Sequence, residues 1–276
     1  MSSPHFEAMT PSELFLWFLR HREEPGMPND HGWYAAYADR PDELNYVWRY
    51  YDRRLATVAK LIKPGMRVLE VGSGHGFELL WMALQGCNVV GIEPLSYLID
   101  SSRDRQKVIE SRIGHPLKCE FRRQNLLTMS NAERFDLVYL RETFHHLEPR
   151  LQAVEKLASL VNPRGHLIIS EANAWNLALH GLLFWRRGFK TIVHHTEPDG
   201  QQIVLGNERI LTPYRLTRLF APYKFKSHCH YMRLLPTVLA RHRWLVRLAE
   251  RIERALDDSM FLRPFFVHYE WVGIAS

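Results

Sequence analysis

Cysteine is scarce in this chain. Three residues in 276, Cys87, Cys119 and Cys229, stand far apart with no CxxC pair. That excludes a disulfide scaffold or a zinc ribbon and suits a reducing compartment. Long apolar runs are also missing. Leu14–Leu19 is closed by Glu13 and Arg20, and Leu177–Trp185 is broken by His180 and Gly181. Neither is long enough for a signal-peptide core or a membrane span, so a cytoplasmic protein is expected. No repeat or low-complexity tract is visible. Nor does one charge sign prevail throughout. The formal net charge is +6, yet residues 1–173 hold 21 Lys+Arg against 22 Asp+Glu, and residues 174–276 hold 15 against 8. A uniformly basic nucleic-acid coat is excluded, and the basic surplus belongs to the last third.

What is present is ordinary for a globular enzyme: 46% hydrophobic and 24% charged residues, enough for a sizeable core. Thr10-Pro11-Ser12-Glu13 is a capping box with proline at the first helical position. A turn-rich aromatic stretch follows to Tyr37. A second helix is expected over Pro41–Leu61, where Leu44, Val47, Tyr51, Leu55, Val58 and Ile62 recur at three- and four-residue steps.

From Pro64 the pattern alternates. Strands are expected at Arg67–Val71, Asn88–Ile92, Leu117–Arg122, Phe135–Leu140 and His166–Ser170, with helices at Gly76–Gln85, Ser96–Ile113 and Leu151–Val161. Such alternation describes βαβ units, a parallel sheet and helices on both faces. After Glu171 comes an insertion, then a capped helix start at Thr212-Pro213. A strand over Phe225–Leu234, a basic helix over Pro236–Leu256 and a strand over Phe265–Ile274 complete the expected elements.

The chemistry is concentrated in Glu70-Val71-Gly72-Ser73-Gly74-His75-Gly76. A strand ends in an acid, and three alternating glycines permit a tight turn and close ligand approach. A helix then begins with its amides exposed to whatever binds. About twenty residues on, Val89–Ile92 ends at Glu93, an acid placed to meet a ribose diol. A dinucleotide site requires GxGxxG, whereas the spacing here is GxGxG.

That arrangement resembles motif I of the class I S-adenosylmethionine-dependent methyltransferases, in which an acid precedes GxGxG. The resemblance extends motif by motif from Pro64 to about Glu171. It implies a Rossmann-like α/β fold: seven strands, mostly parallel with the last antiparallel, helices on both faces, and an insertion after the fifth strand. Residues 1–63 would form an N-terminal helical cap, and 64–276 the S-adenosylmethionine-binding domain, with 174–211 as a lid-like insertion. By the same resemblance, Gly72, Ser73, Gly74 and Gly76 would line the donor loop that Glu70 organises. Glu93 would hold the ribose hydroxyls, and Pro94 would lie near the adenine edge. Where the family often places an aspartate for the adenine amino group, this chain has Gln124-Asn125-Leu126, so Asn125 and Leu126 take that place.

Phe135-Asp136-Leu137-Val138 leads through Arg141 and Glu142 into His145-His146-Leu147, as the family's fourth strand leads into an HHL loop. Arg141 is expected at the cofactor. Glu171, closing the fifth strand, lies on the same rim as His145 and His146. An imidazole near a carboxylate is a suitable general base for an acceptor hydroxyl or amine.

The absence of [ND]-P-P-[YFW] after the fourth strand removes the adenine-N6 and glutamine-N5 branches. The absence of any Pro-Cys pair removes cytosine-C5 chemistry. Leu140-Arg141 lacks the acids of the metal-dependent catechol branch. The resemblance thus implies methylation of an oxygen or nitrogen of a small molecule, in specialised metabolism, with no nucleic-acid partner. Other uses of the same donor, such as aminocarboxypropyl transfer, cyclisation or elimination, stay open, as does a non-catalytic cofactor-binding role.

Outside the motifs, Trp33, Tyr34, Tyr37, Tyr46, Trp48, Tyr50 and Tyr51 could surround a sulfonium, although most are expected to seal a helix–sheet interface. His194, His195, His228, Cys229 and His230 lack matched ligand pairs, and no metal is expected. The arginine-rich helix over Pro236–Leu256 leaves open peripheral membrane contact, a homodimer contact, or a solvated face covering the sheet edge, the last being favoured. The acceptor would be acidic or lipid-like if that charge bears on it.

Overall fold

The computed structural model describes residues 5–28, 40–256 and 261–276. Trp33, Tyr34 and Tyr37 lie outside them. The fold is α/β with a seven-stranded, mostly parallel sheet. The chain forms two compact units, Met1–Asn125 and Leu126–Ser276.

In the first unit, helix α1 (Pro11–Arg20) opens with the expected capping box. Glu13 N–H donates to Thr10 Oγ1 at 3.2 Å, and Thr10 N–H to Glu13 Oε2 at 2.8 Å. Ser12 donates through both N–H and Oγ to the Asp52 carboxylate (2.8 and 2.6 Å), which locks α1 to α2 (Pro41–Leu61). Phe15 packs on Trp48 and on Phe77, with ring centroids 4.7 and 4.2 Å apart. Tyr46, Trp48, Tyr50 and Tyr51 are all buried, so this aromatic group seals the interior as the plainer expectation held.

Strands β1 (Arg67–Val71), β2 (Asn88–Glu93) and β3 (Cys119–Arg123) run parallel in the order β3-β2-β1. Between them lie helices α3 (Phe77–Leu84) and α4 (Ser96–Ile113). α4 does not keep its polar residues wholly in water. Arg105 is fully buried, its guanidinium 4.4 Å from the Phe77 ring centre and bonded to Ser101. A buried cation needs such fixed acceptors and a π face.

The second unit contributes β4 (Phe135–Arg141), β5 (Val161–Ala172), β8 (Phe225–Met232) and β9 (His268–Ala275), in the order β4-β5-β9-β8. β4 and β5 are parallel, and β9 runs antiparallel to both neighbours. Helix α5 (Arg150–Leu160) connects β4 to β5. The insertion is structured: helix α6 (Leu177–Arg187) and a separate hairpin of β6 (Ile192–Thr196) and β7 (Gln202–Gly206). α7 (Pro213–Phe220) is capped by Thr212, whose Oγ1 accepts from Arg215 N–H at 3.2 Å. Its Phe220 stacks 5.0 Å from Trp271, a fully buried anchor of β9.

Several boundaries differ from expectation: β5 begins at Val161 and not at His166, β3 begins at Cys119 and not at Leu117, and β8 ends at Met232 and not at Leu234. The basic helix α8 runs Arg243–Leu256 and does not start at Pro236. Thr237–Leu239 makes one 3-10 turn instead, with Arg233 bonded to the Thr237 hydroxyl. Likewise β9 begins at His268, because Arg263–Phe265 forms a 3-10 turn. No described helix is long and apolar enough to cross a membrane.

Candidate active site

In the first unit the loop after β1 carries Gly72, Gly74 and Gly76 at φ 71°, 51° and 77°. Residues with a Cβ enter that left-handed region at a cost of about 1–2 kcal/mol. The N–H groups of Gly72 and Ser73 both donate to Ile92 O (2.8 and 3.2 Å), so the end of β2 sets the loop. The glycines serve different ends. A Cβ on Gly74 would meet no described atom within 4 Å, whereas one on Gly76 would lie 2.6 Å from Phe121 Cζ. Gly74 therefore leaves space over the loop, and Gly76 lets the start of α3 pack against β3.

Glu93 is buried at the end of β2. Its Oε2 accepts from Gly74 N–H at 3.3 Å and its Oε1 from Leu95 N–H at 3.2 Å. A carboxylate oxygen can accept more than one hydrogen bond. Glu70 is buried beneath the loop strand, and Ser73 Oγ is buried without a hydrogen bond among the described residues. Pro94 O accepts from Arg123 Nε at 3.4 Å. Gln124 N–H donates to Glu93 O at 3.2 Å, which sets Asn125 next to the Glu93–Pro94 turn. An open glycine, an orphaned hydroxyl and a fixed acid suit a polar, diol-bearing ligand such as an adenosyl group.

In the second unit β4 ends at Arg141, paired with Ser170 of β5. Glu142 follows at φ 49°, an unusual conformation for a glutamate, held by its N–H donating to Ser170 O at 2.9 Å. Phe144–His146 then form a 3-10 turn. Glu171 caps that turn from the end of β5. Its Oε1 accepts from the N–H groups of Phe144 (2.6 Å) and His145 (3.4 Å), and its Oε2 lies 2.6 Å from His145 Nδ1. Leu126 is buried at the start of this unit, in a short turn after β3.

The adjacent histidines differ electrostatically. Burial alone would push the His145 pKa down, but the carboxylate of Glu171, joined by Glu142 and Glu208, raises it to about 9. His145 is thus an imidazolium at neutral pH, with Nε2 3.7 Å from Glu208. His146 is shifted downward, first by burial and then by the neighbouring His145 charge. Its Nδ1 lies 2.8 Å from Gly206 O. A carbonyl can only accept, so Nδ1 carries the proton and Nε2 keeps its lone pair. Gly206 is required there, because a Cβ would sit 2.4 Å from His145 O.

Several participants carried no local sequence signal. Glu208 lies in the loop after the insertion's hairpin. His268 Nε2 is 3.1 Å from Glu142 Oε1. Tyr269 pairs with Glu171 across β5 and β9. It is fully buried, and its hydroxyl has no hydrogen bond among the described residues. Burial, with the Glu171 charge next, holds that phenol well above its ordinary pKa, so it remains a donor. Glu142, His145 and Glu171 bring ligand-type atoms within 4.8 Å of one another, but the doubly protonated His145 has no lone pair to give a metal ion. The histidines weighed from sequence are placed elsewhere: His194 and His195 on the exposed hairpin, His228 and His230 side by side on β8.

A family model described as a methyltransferase domain matches residues 43–232. An uncharacterized methyltransferase of Alkaliphilus oremlandii is 30% identical over 135 residues, which is 47% of this chain and 57% of that protein. A ubiquinone biosynthesis O-methyltransferase of Xanthomonas campestris is 29% identical over 165 residues, 58% of this chain and 62% of that protein. The chain thus spans less than two thirds of the length of either relative. Magnesium protoporphyrin IX methyltransferase from Synechocystis, solved with bound SAH, shares the fold at a TM-score of 0.55 and 16% identity, over 86% of each chain.

Proposed function

Because this chain belongs to the S-adenosylmethionine-dependent methyltransferases, we propose that it methylates an oxygen or nitrogen of a small molecule, with His146 taking the acceptor's proton. The observation that carries this reading is the division of labour between the two histidines. His145 is held protonated by Glu171, while His146 is neutral with its tautomer set by Gly206 O.

When bound, the cofactor supplies an electrophilic methyl group on a sulfonium. Gly72, Ser73 and Gly74 would line the donor, with Glu70 supporting that loop. Glu93 would accept from the ribose hydroxyls. Pro94, Asn125 and Leu126 would flank the adenine, and Arg141 would stand at the end of β4. Gly76 keeps a packing role. On the acceptor side, His146 Nε2 would receive the proton as the nucleophile develops charge, a step worth about 10²–10⁴ in rate for a well-placed base. The His145–Glu171 ion pair would position the turn and favour anionic character on the acceptor oxygen. Residues 1–63 would serve as a cap and 174–211 as a lid over the acceptor. A methyltransferase of specialised metabolism is the setting this reading supports.

The test needs no knowledge of the acceptor at first. Calorimetry with S-adenosylhomocysteine should show binding to the wild type and equally to His146→Ala. Incubation with S-adenosylmethionine alone should release no methylthioadenosine, whose appearance would mean a different chemistry. With an acceptor found, His146→Ala should lower kcat and remove the lower limb of the pH–rate profile. Unchanged turnover would remove His146 from the mechanism.

A further inference from the structure

α6 has an unusual surface. A helix on a water-soluble protein normally turns its polar side outward. Here Leu177 and Trp185, eight residues apart on one side, are 81% and 82% exposed, with Phe184 beside them. Leu183 is the residue this helix buries. Phe189, just past the helix end, is 90% exposed, and the hairpin exposes Ile192 and Val204.

Hydrogen bonds join this surface to two further elements of the same unit. Asn176, which caps α6, donates from Nδ2 to Phe265 O at 3.0 Å. That fixes the Arg263–Phe265 turn, with Phe265 exposed, against the start of α6. Val267 N–H donates to Arg233 O (2.8 Å), and Leu234 N–H to Glu253 Oε1 of α8 (2.7 Å). α8 presents Trp244 and Leu248 outward, flanked by the exposed Arg243, Arg247 and Arg251. Arg186 and Lys190 flank the α6 aromatics in the same way. The Arg263–Phe265 turn is held a second time by Asn173, two residues beyond Glu171, whose side chain donates to the carbonyls of Arg263 and Phe266.

We infer that the face formed by α6, the Arg263–Phe265 turn and α8 docks on an anionic phospholipid bilayer. Exposed aromatic and aliphatic side chains edged by arginine match a headgroup–acyl boundary, where tryptophan and phenylalanine enter and guanidinium groups meet phosphate. The surplus of 15 Lys+Arg over 8 Asp+Glu after residue 173 has the sign such a surface attracts. A second copy of the chain fits less well. A two-fold interface places the same patch on both sides and would set arginine against arginine. The inference does not depend on which acceptor is methylated or on the role of His146.

Co-sedimentation of the full chain with vesicles tests it. Binding is expected to vesicles of phosphatidylcholine mixed with phosphatidylglycerol, weak to phosphatidylcholine alone, and weakened by salt. Arg247→Gln combined with Arg251→Gln should lower the partition coefficient about 25-fold, near fivefold per charge. Trp185→Ser with Phe189→Ser should lower it at least as much. Both variants change exposed side chains and should bind S-adenosylhomocysteine like the wild type. Absence of binding, equal binding to both vesicle types, or indifference to the substitutions would overturn the inference. Self-association abolished by Trp185→Ser, without vesicle binding, would assign the face to a second copy.

Discussion

Replacing Glu171 by glutamine removes one charge and keeps the shape, and the structure allows the cost to be worked out. Both carboxylate oxygens accept: Oε1 from two backbone N–H groups, and Oε2 from His145 Nδ1. An amide has one acceptor oxygen, so with that oxygen on the two N–H groups its NH2 faces His145 Nδ1, and a neutral ring answers by carrying its proton on Nε2 and accepting at Nδ1. The hydrogen bonds are then kept, and the cost is the lost proton affinity of the ring, which depends on pH. A histidine with pKa about 9 in the folded chain and about 6.5 when unfolded binds its proton more tightly when folded. This contribution is complete below about pH 6.5 and lost as pH rises through about 9. At about 1.4 kcal/mol per pKa unit it amounts to roughly 3 kcal/mol at pH 6 and near zero at pH 10. Urea unfolding of wild type and Glu171→Gln should therefore differ by about 3 kcal/mol at pH 6 and by less than about 1 kcal/mol at pH 10. A difference that is the same at both pH values would refute the ion pair, as would a wild-type His145 ring titrating near 6.5 by NMR.

Three further outcomes follow from the glycine loop and the acid beside it. Glu93→Ala should weaken S-adenosylhomocysteine binding about 10- to 100-fold, the loss of hydrogen bonds to a charged acceptor; calorimetry showing unchanged affinity would exclude Glu93 as the diol's partner. Gly76→Ala should destabilise the chain by about 2–4 kcal/mol, combining the left-handed φ with the clash at Phe121. Gly74→Ala should cost only about 1 kcal/mol in urea unfolding yet impair ligand binding, and equal destabilisation by the two would contradict their different surroundings.

The geometry of the glycine loop after β1 was legible because its information is local. A strand end, alternating glycines and an acid one strand away determine one another over some twenty residues. The pairing of His145 with Glu171 was legible in outline, since β4 and β5 were expected to end on one rim. Which histidine would be charged was not. That depends on Glu208 and Gly206, which the chain brings back some sixty residues on. Register between distant strands leaves no mark in a single sequence. The start of α8 was misplaced for another reason. Apolar spacing continues across Pro236–Arg243, but the Arg233–Thr237 bond closes a separate turn there. Arg105 shows a similar limit: its burial depends on Phe77 and Ser101, which periodicity does not register.

The carbonyl of Gly206 touches His146 from the end of the insertion's hairpin, with no room between the two backbones for a side chain. The insertion's hairpin is therefore the segment that decides which ring nitrogen bears hydrogen. A chimera carrying a foreign hairpin would inherit a new neighbour for the imidazole along with its new surface. Evolution of this chain toward another acceptor could not alter the one without resetting the other.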